Sequence, residues 1–345
     1  MKAAVFKEPK KIVVEEVSDP GLKNPDDAIV RVTYSCICGS DLWYYRGLVE
    51  RENNSRIGHE FMGIVEEVGD AVKNAKVGDL VVVPFVISDG TCPECLAGLT
   101  TGCRNMQGWG SKGNDGGQGE KVRVPLANGT LFVIPKDKVT EEMMPKLLPL
   151  SDVLCTGHHA AISGRVDKGS TVAVSGDGAV GLCAVAASKR LGASRIFLIS
   201  THPDRAAIGK KFGATDVVAM RGEEAIKFIK DATDNLGVDS ALECVGTEES
   251  WNTAFGVVRK GGNIGAVGLP VKVPDLPITK FFWPDIGIKG SAAPAAHYIP
   301  ELMPDVLSGK LDVSDIFTKT VSLADIADGY KAMDERTAIK VLVKP

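Results

Sequence analysis

The chain has 345 residues, enough for two domains with substantial cores, and its 44% hydrophobic and 24% charged residues are those of an ordinary globular protein rather than a disordered one. A formal net charge of −4 leaves no basic surplus, which argues against a sequence-independent grip on nucleic-acid phosphates and against anionic membranes as partners. Eight cysteines suit a reducing compartment in which thiolates stay free to hold metal, so no disulfides and a cytoplasmic location are expected.

In chain order, residues 1–11 lack the apolar core that a secretion signal needs. Residues 2–6, 11–16 and 28–35 read as short strands of alternating or β-branched apolar residues, separated by Pro20-Gly21 and Asn24-Pro25 turns. Cys38-Gly39-Ser40-Asp41 and then Gly58-His59-Glu60 follow. A thiolate, a hydroxyl, an imidazole and a carboxylate are the parts of a catalytic metal site with an open position, lacking only a further ligand from elsewhere. Taken alone, Cys38 reads equally as a small buried apolar residue, and His59 as a hydrogen-bonded core histidine. What sets them apart is the run that follows, Phe61-Met62-Gly63-Ile64-Val65-Glu66-Glu67-Val68-Gly69, apolar and strand-like with glycine punctuation.

Gly58-His59-Glu60 with Gly63, Val65, Val68 and Gly69 resembles the signature of the zinc-dependent medium-chain alcohol dehydrogenases, and further matches extend over nearly the whole chain. The resemblance implies an α/β protein. It comprises a GroES-like, mostly β catalytic domain over residues 1–152, a Rossmann cofactor domain with a doubly wound parallel sheet over 153–290, and a return to the catalytic domain over 291–345. Residues 80–86 continue the strands of the front half.

Next comes Asp89, then Cys92, Cys95 and Cys103. The family has four cysteines in this pattern, binding structural zinc, and here Asp89 stands in the first position. A carboxylate is an accepted zinc ligand, so Asp89, Cys92, Cys95 and Cys103 are expected to hold the metal, the other reading being a decayed lobe of three thiols. Trp109 precedes the glycine-rich residues 113–119 and a strand over 120–125, and reads as a pocket wall or as core packing.

At Leu150-Ser151-Asp152, the aspartate could cap the following helix. In the secondary-alcohol, polyol, threonine and formaldehyde-type branches of the family, this position binds catalytic zinc, which makes Cys38, His59 and Asp152 the expected ligands and Glu60 an exchangeable fourth. His158 and His159 read as hydrogen-bonded packing residues.

From Thr171 strands alternate with helices. A β-branched strand over 171–175 runs into Gly176-Asp177-Gly178-Ala179-Val180-Gly181 and an alanine-rich helix over 182–191, which is the dinucleotide fingerprint in its required context. The apolar stretch over 171–188 therefore belongs to a nucleotide site rather than a membrane span. After the next strand, where NAD-binding relatives carry aspartate, stand Ser200, Thr201 and His202, with Arg205 nearby, a set suited to NADP. The other reading is the start of a helix with Pro203 in its first turn. Units over 216–219, 223–232, 238–245, 248–260 and 263–269 complete the pattern of six parallel strands that the resemblance implies, with Gly246, Val267 and Gly268 at strand ends facing the cofactor or simply turning the chain. A helix over 299–307 and a strand over 338–343 close the chain.

The implied chemistry is hydride transfer between a nicotinamide and a small alcohol, ketone or aldehyde, with zinc as Lewis acid. Ser40 is placed to hydrogen-bond the substrate oxygen and start a proton relay, but Leu42 and Trp43 follow Asp41 where many relatives carry the relay's outer histidine. Trp43, Phe85, Val86 and Trp109 would make a crowded apolar pocket, and a homo-oligomer, a tetramer by analogy, is expected. Two other readings are a zinc-free quinone or enoyl reductase on the same fold and a non-catalytic cofactor-binding protein.

Overall fold

Along Ala28–Ile37, buried Val30, Val32 and Tyr34 alternate with exposed Arg31 and half-buried Thr33, the two-residue period of a strand with one face in a core. In the computed structural model, which describes all residues except Lys112, 271–274 and Leu276, this strand is central to a seven-stranded sheet. The order is Phe132–Ile134, Leu80–Val83, Phe61–Val68, Ala28–Ile37, Lys340–Lys344 and Phe317–Ser322, with Lys121–Val124 also paired to Ala28–Ile37. Ala28–Ile37 runs antiparallel both to Phe61–Val68 and to Lys340–Lys344, where Val341 faces Ile37 and Leu342 faces Cys36. Three distant pieces of chain therefore meet at one place: Cys38 just beyond one strand, Glu60 just before the next, and Lys340 opening the last.

Two compact units are present, Met1–Asp152 together with Pro294–Pro345, and Val153–Ala293. The first is filled by residues such as Phe61, Val65, Val81, Val83 and Val122 on the seven-stranded sheet. The expected strand over 80–86 is broken. Leu80–Val83 stays in the main sheet, while Val86–Ile87 pairs with Gln107–Gly108 instead, because Pro84 has no N–H to continue the ladder. The helix Ala295–Leu307 begins earlier than the expected 299–307 and contains Pro300 and Pro304.

The second unit is a sheet of six strands in the order Asp216–Val218, Arg195–Ile199, Thr171–Ser175, Val238–Glu243, Val258–Ala266 and Gly287–Gly290, every neighbouring pair parallel. The order reverses between Thr171–Ser175 and Val238–Glu243, which opens a crevice at the carboxyl ends of the strands. The helix expected over 248–260 ends at Val257. Val258 already pairs with Val238 in the sheet, and β-branched side chains followed by Gly261 at φ +70° favour strand and turn over another helical turn. No helix among the described residues is long and apolar enough to cross a membrane. All eight cysteines are free.

Candidate metal and cofactor sites

In the first unit, ligand atoms of Cys38, His59, Glu60 and Asp152 all lie within 4.8 Å of one another. Cys38 Sγ is 3.5 Å from Asp152 Oδ2, and His59 Nε2 is 3.4 Å from the same oxygen and 4.0 Å from Glu60 Oε1. Donors about 2.0 to 2.3 Å from one ion in a tetrahedron stand about 3.3 to 3.8 Å apart, so the spacing fits zinc. Cys38, Glu60 and Asp152 are all buried, and burial together with the Asp152 and Glu60 carboxylates pushes the Cys38 thiol up. Such a sealed, anion-rich donor set calls for a cation.

Asp41 fixes the imidazole. Its Oδ1 is 3.2 Å from His59 Nδ1, which directs Nε2 toward the other donors. Burial alone would push His59 down, but the Asp41 charge and the hydrogen bonds to Asp152 and Asp41 outweigh it and leave the ring well above its ordinary pKa. Asp41 is itself held by the Cys38 N–H at 3.0 Å and the Tyr44 hydroxyl at 2.8 Å, and Tyr330 passes the network to Gln118 at 2.9 Å. On the other side, Lys340 Nζ donates to Glu60 Oε1 and the Cys36 thiol to Glu60 Oε2 at 3.3 Å. Asp41 stands in the Cys38-Gly39-Ser40-Asp41 string but has no role assigned from sequence, and Cys36 and Lys340 are not singled out there. For Lys340 the available signal was a cation inside the apolar run Ile339-Lys340-Val341-Leu342-Val343.

Ser40 Oγ lies 3.5 Å from His59 Nε2 and, although it precedes the helix Asp41–Tyr45, makes no capping bond, leaving the hydroxyl for another partner. The Phe85 ring stands edge-on to His59 with centroids 6.4 Å apart, and Trp43 is half-buried. Trp109 does not belong with them. Its indole donates to Pro84 O at 3.0 Å, and its ring packs edge-on against Phe61 in the core at 5% exposure.

A second donor cluster joins Asp89, Cys92, Cys95 and Cys103, again within 4.8 Å of one another, with Cys92 Sγ and Cys103 Sγ 3.8 Å apart. Burial and the neighbouring thiols Cys92 and Cys103 push Cys95 up to about 12. Four converging donors, three of them thiols, fit tetrahedral zinc.

In the second unit, Gly176 turns the chain at φ +115°, and a Cβ on Gly181 would come 1.9 Å from Gly176 O, so only glycine lets the helix Ala179–Arg190 start so close to its strand. Gly178 precedes that helix without a side-chain cap, and a Cβ there would meet nothing within 4 Å, leaving the first-turn N–H groups of Ala179, Val180 and Gly181 for an anion such as pyrophosphate. Gly246 and Gly268 interlock: a Cβ on Gly268 would come 2.1 Å from Gly246 N. Buried Glu243 ties them, its Oε1 accepting from the Val245 and Gly246 N–H groups and its backbone O from those of Val267 and Gly268.

At the end of Arg195–Ile199, Ser200 Oγ donates to Asp177 Oδ2 at 2.8 Å, His202 Nδ1 is 2.7 Å from that oxygen, and Arg205 reaches Asp177 Oδ1 at 3.3 Å. The strand end therefore does have a carboxylate, supplied by the fingerprint turn. Thr201 accepts from Arg221 at 3.0 Å. His158 and His159 sit in the helix Val153–Ser163, where His159 Nε2 is 3.0 Å from Ser291 Oγ and burial, with the Lys289 charge, lowers its pKa to about 4.

Residues 24–136 match the model of the alcohol dehydrogenase GroES-like domain, and residues 179–308 that of the zinc-binding dehydrogenases. The chain is 33% identical over 353 residues to the sorbitol dehydrogenase of Bacillus subtilis (strain 168), covering 100% of this chain and 97% of that one. The chain belongs to the zinc-dependent medium-chain alcohol dehydrogenase family. This dehydrogenase also resembles alcohol dehydrogenase TADH from Thermus sp. ATN1, with a TM-score of 0.93, 33% identity and coverage of 100% and 99%. A zinc-binding dehydrogenase from Sinorhizobium meliloti 1021, solved bound to NADP, gives a TM-score of 0.85 at 28% identity, with coverage of 100% and 99%. The protein is accordingly a zinc-dependent oxidoreductase that uses NAD(P) to act on alcohols, rather than a zinc-free reductase or a non-catalytic binder.

Proposed function

We propose that Cys38, His59 and Asp152 hold the catalytic zinc, that Glu60 is a fourth ligand exchanging with water or substrate, and that the enzyme interconverts a small secondary alcohol and its ketone, or acts on an aldehyde. The convergence of these donors within 4.8 Å, in a buried setting with an anion surplus, supports the reading best. When bound, the metal polarises the substrate oxygen and lowers its pKa, while the nicotinamide exchanges hydride with the carbon. Ser40 accepts the proton leaving the alcohol oxygen and passes it to water, since the chain has leucine and tryptophan where an outer histidine would stand. Asp41 keeps His59 oriented, and Phe85 and Trp43 exclude water around a small apolar substrate. Asp89, Cys92, Cys95 and Cys103 hold a second, structural zinc. The first unit carries the chemistry, and the second binds the cofactor.

NADP is favoured over NAD. No carboxylate grows from the strand end itself, and His202, Arg205 and Arg221 gather there. Ile278, Phe282 and Trp283, exposed at 66%, 67% and 82%, precede the edge strand Gly287–Gly290 and support self-association, for which a tetramer is the expected state. Eight free cysteines suit the cytoplasm.

The deciding experiment couples elemental analysis with cofactor absorbance over a panel of secondary alcohols, ketones and aldehydes. Two zinc ions per chain and turnover of a small secondary alcohol are expected. Zinc that binds undiminished when Cys38 and Asp152 are both replaced by alanine would remove the proposed ligand set, and light scattering that finds a monomer would remove the oligomer.

A further inference from the structure

We propose that Arg221 is the cation that reads the adenosine 2′-phosphate, and that Asp177 withholds His202 and Arg205 from it. This rests on the NADP preference proposed above. Parallel pairing sets Ile199 against Val218, so the chain leaving Arg195–Ile199 and the chain leaving Asp216–Val218 emerge side by side. Thr201 stands two residues beyond the first strand and Arg221 three beyond the second, and the guanidinium donates to Thr201 Oγ1 at 3.0 Å. Arg221 is exposed and makes no ion pair among the described residues, so its remaining N–H groups are open to an anion.

The other two cations are engaged. Asp177, in the turn that precedes the pyrophosphate helix, holds Arg205 at 3.3 Å and His202 at 2.7 Å and also accepts from Ser200. Its side chain and that of Arg205 are only 12% and 11% exposed, so the pair is sheltered and its attraction is less screened than on the open surface. Burial pushes the Asp177 carboxyl up, but the hydrogen bonds from His202 and Ser200 and the Arg205 charge outweigh it, keeping the group below the usual carboxylate range and therefore ionised at neutral pH. A phosphate recruiting Arg205 would have to compete with Asp177, whereas one meeting Arg221 displaces only a hydroxyl contact.

The test is calorimetric binding of NADPH, NADH, adenosine 2′,5′-bisphosphate and adenosine 5′-monophosphate to the zinc-loaded full chain. The parent is expected to bind both 2′-phosphorylated ligands more tightly. Arg221→Ala should raise their Kd about tenfold and move NADH and the monophosphate by no more than about twofold, with partial recovery in Arg221→Lys. Asp177→Asn should tighten the 2′-phosphorylated ligands about threefold by releasing the two cations. A parent that binds NADH and NADPH equally would sink the NADP reading itself. A parent that prefers NADPH, with the preference kept in Arg221→Ala and lost in Arg205→Ala, would overturn the assignment of Arg221 and leave the NADP reading standing. Weaker NADPH binding by Asp177→Asn would overturn the withholding role. Arg221 is exposed, so folding of its variants is not at risk, and circular dichroism checks it.

Discussion

Lys340 Nζ lies 2.6 Å from Glu60 Oε1, and the two side chains are 1% and 0% exposed. Burial would push the Lys340 ammonium down, but the Glu60 carboxylate paired with it outweighs that cost and holds its pKa well above the ordinary lysine value. Removing it strands the Glu60 charge. Lys340→Met is expected to destabilise the zinc-free protein by about 3 to 5 kcal/mol, and the zinc-loaded protein by less, because the metal supplies a second positive charge to the same carboxylate. Urea unfolding with and without chelator measures both values, and equal losses would reduce Lys340 to a packing role.

Asp41→Asn should weaken zinc binding about 10-fold to 100-fold at the Cys38, His59 and Asp152 site, because the amide cannot hold the imidazole as the carboxylate does at 3.2 Å. Competition with a chromogenic chelator reads the affinity directly. Affinity unchanged within error would mean that the ring is oriented by its other neighbours.

Ser40→Ala should keep its zinc and lower turnover about 100-fold, with the loss largest at low pH, where water is the poorer proton acceptor. Turnover equal to the parent across the pH range would take Ser40 out of the proton path.

Asp89 Oδ1 accepts the Thr91 and Cys92 N–H groups at 2.7 and 2.8 Å, and Oδ2 accepts from Asn105 at 2.8 Å. Burial pushes its carboxyl up, but these N–H groups outweigh it and hold the pKa well below the usual range. An anion so firmly maintained is a competent fourth ligand. Asp89→Ala is expected to lose about one zinc per chain and Asp89→Cys to retain it, by elemental analysis. Full zinc in Asp89→Ala would leave Asp89 as a turn former.

His159 gives the second unit a dependence on pH. Its folded pKa of about 4 lies below the ordinary histidine value of about 6.5, so the unfolded chain takes up the proton first and stability is lost as pH falls from about 6.5 toward 4. At pH 4.5 the parent should lose about 2 to 3 kcal/mol that His159→Gln does not lose. Denaturant titrations of both proteins at pH 7 and pH 4.5 measure the difference, and parallel losses would show that His159 titrates normally.

Much of the architecture was readable from local pattern, because strand periodicity and the glycine spacing of Gly176, Gly178 and Gly181 are properties of short stretches. Where reading failed, a local preference met a partner far along the chain. In Val258-Arg259-Lys260 the local signal against helix, β-branched Val258 shortly before Gly261, is weak, and pairing with the distant Val238 decides for strand. Asp152 is 114 residues from Cys38, so spacing alone could not join them, and the family resemblance had to. Asp177 was visible within the fingerprint, but its hold on His202 follows from the parallel pairing of Ser175 with Ile199, which sets the turn and the strand end side by side. Trp109 misled because an aromatic beside a glycine-rich segment suits a pocket wall and a core equally well.

The strand Lys340–Lys344 lies between Ala28–Ile37 and Phe317–Ser322 in the first unit's sheet, which gives the order of biosynthesis a consequence. On the ribosome, the segments carrying Cys38, His59, Glu60 and Asp152 emerge long before the strand that closes the sheet beside them, by about 10 to 40 seconds at ordinary elongation rates. Until Lys340–Lys344 has emerged, the growing chain exposes an open sheet edge and an uncompensated Glu60. A chain halted at Ile339 is therefore expected to be cut by protease at the edge of Ala28–Ile37 that Lys340–Lys344 otherwise covers.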